Sequence, residues 1–80
     1  MGESCLSLLQ EGEQGIIASV ELDVKLKQRL SELGFIPGGK VSVLHTAPSG
    51  SPVAYYIKGA VVALRIGDSR QIRVYSDESC

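Results

Sequence analysis

The stretch "RLSELGFIPGGKVSVLHTAPSGSP", Arg29 to Pro52, must end a helix, turn the chain and begin a strand almost without a pause. Gly34 stands one residue past an apolar-periodic segment, where a residue without Cβ closes a helix by taking the left-handed conformation. Phe35 then folds back on Leu30. Pro37-Gly38 presets a type II turn, because proline fixes φ at the first central position and glycine accepts positive φ at the second. Any fold for this chain therefore has one helix pressed directly against the start of a strand.

Upstream of that switch, Leu22, Leu26, Leu30 and Leu33 fall on one stripe of a helix, with Lys25, Lys27, Gln28, Arg29 and Glu32 on the other faces. Asp23 is placed to accept the free amides of the first turn, so the spacing predicts a helix over Val24 to Leu33. Before it, "GEQGIIASVEL", Gly12 to Leu22, reads as a first strand from its β-branched content after a glycine-bounded turn.

After the turn the period becomes two. Val41 and Val43 share one face, as do Val53, Tyr55 and Ile57, and then Val62, Leu64 and Ile66. A Gly59-Ala60 hairpin loop of type II′ sets Ile57 against Val62, Tyr55 against Leu64 and Val53 against Ile66. The preceding hairpin turns through "APSGSP", and the register that keeps polar residues together sets Val43 against Ile57 and Ser42 against Lys58. "GDSRQ", with Asp68 as cap, supplies a helical turn before a last strand that carries Ile72 and Val74 inward. The expected fold is mainly β: five short strands, one helix between the first two, a helical turn before the last, and the sheet bent into a small, partly open barrel.

Eighty residues make one domain, expected to span 1–80 with an ordered core over about 6–75 and flexible ends. Such a chain buries only roughly 60 to 65% of the surface its unfolded form exposes. Eight Lys plus Arg against nine Asp plus Glu give a formal charge of −1, without the basic excess that a phosphate backbone attracts. Nucleic acid is therefore not an expected partner. No apolar run reaches the ~20 residues of a membrane-spanning helix, and the first residues have neither the basic start nor the apolar stretch of a signal peptide. The protein is expected to be cytoplasmic and not inserted in a membrane.

At this point whole stretches resemble a family. "LSLLQEGEQGIIASV", "RLSELGFIPGGKVSVLHTAPSGSP" and "GAVVALRIGDSRQIRV" are similar to the FeoA family, along most of Leu6 to Val74. The resemblance implies an SH3-like barrel and a partner: FeoB, the ferrous iron transporter of the membrane, with its GTP-binding domain. The same domain resembles the C-terminal segment of iron-dependent repressors of the diphtheria-toxin-repressor type, so fold alone does not fix the role. The preferred function is a non-enzymatic accessory protein of bacterial ferrous iron uptake. The alternative is a stand-alone metal-responsive regulatory module, and an RNA-binding barrel is a distant third. Ser51, Gly67 and Tyr56 depart from the family pattern, the first two weakening local caps.

The chain itself offers little for chemistry. One histidine, His45, has no spaced ligand partner, and although it shares the inward parity of Val41 and Val43 it reads as a half-exposed residue at a strand end, bonded locally. Gly12 and Gly15 lack the Gly-Lys-Ser/Thr of a phosphate loop. Glu32, Asp68, Asp77 and Glu78 read as a helix face, a cap and a solvated tail. No catalytic, cofactor or metal residue is assigned, and no cofactor is expected. Cys5 and Cys80 read as unpaired thiols near the chain ends, with a disulfide between neighbouring ends or a metal-linked dimer as the sharper readings. The expected registers instead leave Leu44, Tyr56 and Ala63 in one outward row, flanked by Ala54, Val61 and Arg65, with Arg65 diagonal to the Tyr56 ring. Leu44, Tyr56, Ala63, Val61 and Arg65 are the candidate partner-binding residues. Weak self-association through the same row is the competing use, as is cover by the helix.

Overall fold

A computed structural model describes residues 3–76. The elements run β1 (Glu3–Cys5), a 3-10 turn (Leu6–Leu8), β2 (Gln14–Val20), α1 (Val24–Glu32), β3 (Lys40–Thr46), β4 (Val53–Ile57), β5 (Ala60–Leu64), α2 (Ile66–Ser69) and β6 (Ile72–Ser76). All strand pairs are antiparallel, in the order β1-β6-β2-β3-β4-β5. The sheet has six strands rather than the expected five. The added strand is β1, which pairs Glu3, Ser4 and Cys5 with Tyr75, Val74 and Arg73.

The helix ends as its sequence requires. Asp23 accepts the Leu26 amide at 2.9 Å at the N-terminus. At the other end the Phe35 N–H donates to the Leu30 carbonyl at 3.0 Å and the Gly34 N–H to Ser31 at 3.1 Å, with Gly34 at φ +112. These two bonds are the Schellman pattern, and both Leu30 and Phe35 are buried in the core. Gly38, at φ +90, then completes the Ile36 to Gly39 turn, which docks on β2 through Gly38 N–H to the Ile17 carbonyl and Ile17 N–H to the Gly39 carbonyl, both 2.8 Å.

The inward residues are the expected ones: Val41, Val43, Val53, Tyr55, Ile57, Leu64, Ile72 and Val74 are buried, and Val62 packs against them. Both hairpin registers differ from expectation. The β4–β5 loop is Lys58-Gly59, both with positive φ (+49 and +81), and Ile57 faces Ala60, Tyr55 faces Val62 and Val53 faces Leu64. Two positive φ values are what a type I′ turn needs to match the strand twist, and this turn displaces the expected pairing by two residues. Ile66 leaves the sheet to begin α2. In β3–β4, Val41 faces Ile57, Ser42 faces Tyr56 and Val43 faces Tyr55, with a bulge between Val43 and His45.

The α2 cap is also corrected. Asp68 lies inside the helix, and the Ile66 N–H donates instead to Ser51 Oγ at 3.1 Å. Cys5 is half-buried and forms no disulfide among the described residues. Cys80, its pairing with Cys5, and the tail from Asp77 lie outside the described residues.

Candidate partner-binding face

The outward side of β3, β4 and β5 carries large apolar side chains that the core does not use. Leu44 is 49% exposed, Tyr56 46% and Val61 64%. Outward parity placed all three correctly, but the row is different. Tyr56 sits between Ser42 and Val61, whereas Ala63 pairs with Ala54 one step along. Leu44 falls in the β3 bulge beside that row. Arg65 is not diagonal to the Tyr56 ring: it caps α2, four positions beyond Val61, at the far end of β5. The expected five-residue site thus becomes an apolar pair, Tyr56 and Val61, with Leu44 and Ala63 around it and Arg65 apart.

A shallow groove of about 340 Å³ runs beside Tyr56, lined by Gln14, Lys40, Ser42, Lys58 and Gly59. Its two charged residues are both lysines. Lys58 enters the groove because the type I′ turn holds it left-handed at the hairpin tip. Sequence reasoning missed Lys40 and Lys58, and one signal could have found them. Between Leu33 and Gly67 the chain has Lys40, Lys58 and Arg65 and no Asp or Glu, although its net charge is −1. Along the sequence the charge is therefore divided, with the β3–β5 segment carrying cations alone, while Glu11 reaches the His45–Thr46 end of β3 from the loop before β2.

His45, expected to share the inward parity of Val41 and Val43, instead lies on this face, opposite Ala54 and in the row of Ala63. The bulge turns it outward, with its side chain 70% exposed and Nδ1 3.4 Å from Glu11 Oε2. The same carboxylate oxygen accepts the Thr46 N–H at 2.8 Å, so Glu11 ties the loop before β2 to the end of β3. Among the described residues, no three His, Cys, Asp or Glu side chains are grouped as a metal site. No helix among them is long and apolar enough to cross a membrane.

Beneath the outward face, Tyr55 donates to Ser69 Oγ at 2.9 Å, and the Ser69 hydroxyl donates to the Arg65 carbonyl at 3.3 Å. Burial pushes the Tyr55 phenol above its ordinary pKa, with the Ser69 bond opposing in part. This chain of bonds ties α2 to β4 on the inward side of the sheet.

The family model of the FeoA domain matches residues 5–76. The chain belongs to the FeoA family. A fusion protein of Fe(2+) transport protein A and the Fe(2+) transporter FeoB from Porphyromonas gingivalis (strain ATCC BAA-308 / W83) is 38% identical over 69 residues, covering 86% of this chain. The match spans only 8% of that fusion protein. The solution structure of FeoA from Chlorobium tepidum superposes with a TM-score of 0.89 at 30% identity, over 92% of this chain and 70% of the other. The zinc complex of Stenotrophomonas maltophilia FeoA, described as a prokaryotic SH3 domain protein and a candidate ferrous iron transport activating factor, matches at 0.76 and 30% identity, over 88% and 87%. A manganese-dependent transcriptional repressor shares the fold alone, with a TM-score of 0.81 at 20% identity, over 92% of this chain and 41% of the repressor. The six-stranded antiparallel sheet is thus the SH3-like sheet of FeoA domains.

Proposed function

We propose that this FeoA-family protein is a non-enzymatic accessory factor of ferrous iron uptake, working in the cytoplasm and binding the cytoplasmic part of a FeoB-type transporter through the outward face of β3–β5. The observation that carries the reading is the exposure of Leu44, Tyr56 and Val61 together on one face. Exposed apolar side chains gathered on one face mark interaction sites, and tyrosine supplies contact area at low entropic cost. The fusion of a related FeoA segment to FeoB in one polypeptide supports the partnership.

The test is binding of the chain to the transporter's cytoplasmic part, with and without GTP and ferrous ion, beside the Tyr56→Ser and Val61→Ser variants. The expected result is binding that needs no ferrous ion and is weakened about tenfold or more by either variant, as for an interface anchor, with melting temperatures near the parent. Binding only with ferrous ion, lost on chelation, would instead favour the metal-responsive regulatory module.

A further inference from the structure

β5 is a free edge of the sheet. In its register with β4, Ile57 and Ala60 flank the two-residue loop and form a hydrogen-bonded pair, so Tyr55 with Val62 and Val53 with Leu64 do the same. The N–H and C=O groups of Val61 and Ala63 therefore point away from β4, toward no strand among the described residues. Both residues are exposed. Protein edges of this kind are usually blunted by charge, proline or a bulge. The β5 sequence "AVVAL" has no charge and no proline, and the register irregularities lie elsewhere, in β2–β6 and β3–β4.

The ends of β5 are different. Lys58 precedes it and Arg65 follows it, within the span that contains no carboxylate. We propose that β5 accepts an extended segment of the partner as an additional strand, apolar at its centre and carrying carboxylates at its flanks. Its backbone bonds the edge groups of Val61 and Ala63, its apolar side chains lie on Val61 and Tyr56, and its carboxylates meet Lys58 and Arg65. Strand addition supplies affinity from the main chain and selectivity from alternate side chains and charge. A second copy of this chain fits less well. Two β5 strands paired antiparallel about Val62 would bring Arg65 of one copy toward the Gly59 end of the other, beside its Lys58, gathering like charges at both ends. This inference rests on the transporter-binding reading and adds the mode of binding.

The experiment is amide hydrogen exchange by NMR on the full chain, alone and bound to the cytoplasmic part of the FeoB-type transporter. The expected result is exchange slowed about tenfold or more at Val61 and Ala63, while Val62, already bonded to Tyr55, changes little. Contact through side chains alone does not give this alternation. Two variants accompany it. Ala63→Pro removes an edge donor at a position where a proline N faces away from the sheet, and it should weaken binding about tenfold. Lys58→Asn suits the left-handed position at least as well as lysine, so its fold should hold while binding falls. If the parent binds and Tyr56→Ser does not, but exchange at Val61 and Ala63 is unchanged in the complex, strand addition is wrong and the transporter-binding reading stands. No complex with the parent chain overturns both. The occupant is wrong if sedimentation shows the free chain to be a dimer that Ala63→Pro dissolves. Single-stranded RNA competing for the same amides would also overturn it.

Discussion

The Phe35 ring stands edge-on to the Tyr55 ring, with centroids 6.5 Å apart and planes at 87°. Phe35 is the residue that the left-handed Gly34 turns back from the end of α1, and Tyr55 is the central inward residue of β4. The contact thus joins the helix stop to the strand beneath the outward face that carries Tyr56 and Val61. Phe35→Ala is expected to cost about 3–5 kcal/mol, as emptying a buried aromatic site usually does, which approaches the whole stability of a small domain. Urea unfolding measures it, and a loss under about 1 kcal/mol would show that the ring pair does not hold the helix end.

The turn that follows has two glycines with different reasons to be glycine. Gly38 needs its positive φ of +90 and has open space where a Cβ would go. Gly39 is the tighter of the two: a Cβ there would lie 2.7 Å from the Gly34 carbonyl oxygen. Gly34 combines both constraints, with φ +112 and a Cβ 3.0 Å from Lys58 Cγ. Gly38→Ala should cost about 1 kcal/mol, the left-handed penalty alone. Gly34→Val and Gly39→Ala should cost more, because side-chain or backbone atoms must move. Thermal melts of the three variants test the order, and Gly39→Ala melting above Gly38→Ala would contradict it.

Tyr55 gives the domain an alkaline limit. Unfolded tyrosine loses its proton near about pH 10, and burial raises the folded value. Between the two values the folded chain keeps a proton that the unfolded chain has lost. Stability from this residue is therefore intact below pH ~10 and falls as pH rises above it. Tyr55→Phe should cost about 0.5–1.5 kcal/mol at neutral pH through the lost Ser69 bond, and it should flatten the alkaline fall. Unfolding curves of both proteins at neutral and alkaline pH give the comparison. Equal alkaline slopes would remove the assignment to Tyr55.

Much of this was legible because strand parity does not depend on register. Val41, Val43, Val53, Tyr55 and Ile57 turn inward in either pairing, and Leu44, Tyr56 and Val61 turn outward in either. Register depends on one residue, and there local chemistry pointed the wrong way. Gly59-Ala60 suits a type II′ loop, whereas the actual loop puts Lys58 left-handed at φ +49, which lysine seldom adopts. The two-residue shift ends β5 at Leu64 and frees Ile66 for α2, so the apolar row and the place of Arg65 changed with it. β1 gave no signal, since "ESC" has neither alternation nor β-branched residues and is a strand only because β6 offers it an edge.

The last prediction concerns Ser51, which was expected to weaken a local cap and instead supplies one. α2 is only Ile66–Ser69, and its own cap residue Arg65 supplies no side-chain acceptor. Ser51 reaches across from the β3–β4 loop to accept the Ile66 N–H at 3.1 Å, so the helix start is held by a residue 15 positions away. Ser51→Ala should strand that amide and cost about 1 kcal/mol. The effect should spread along the bonds of α2, because Arg70 donates to the Ile66 carbonyl and Ser69 anchors the Tyr55 hydroxyl. Faster amide exchange at Arg70 is therefore expected beside the lower melting temperature. Ser51→Asp keeps an acceptor and adds a negative charge at the helix start, and it should match the parent or exceed it by a few tenths of a kcal/mol. Were Ser51→Asp to melt as low as Ser51→Ala, the serine would not be acting as an acceptor, and the cap of α2 would have to lie in the backbone of the loop alone.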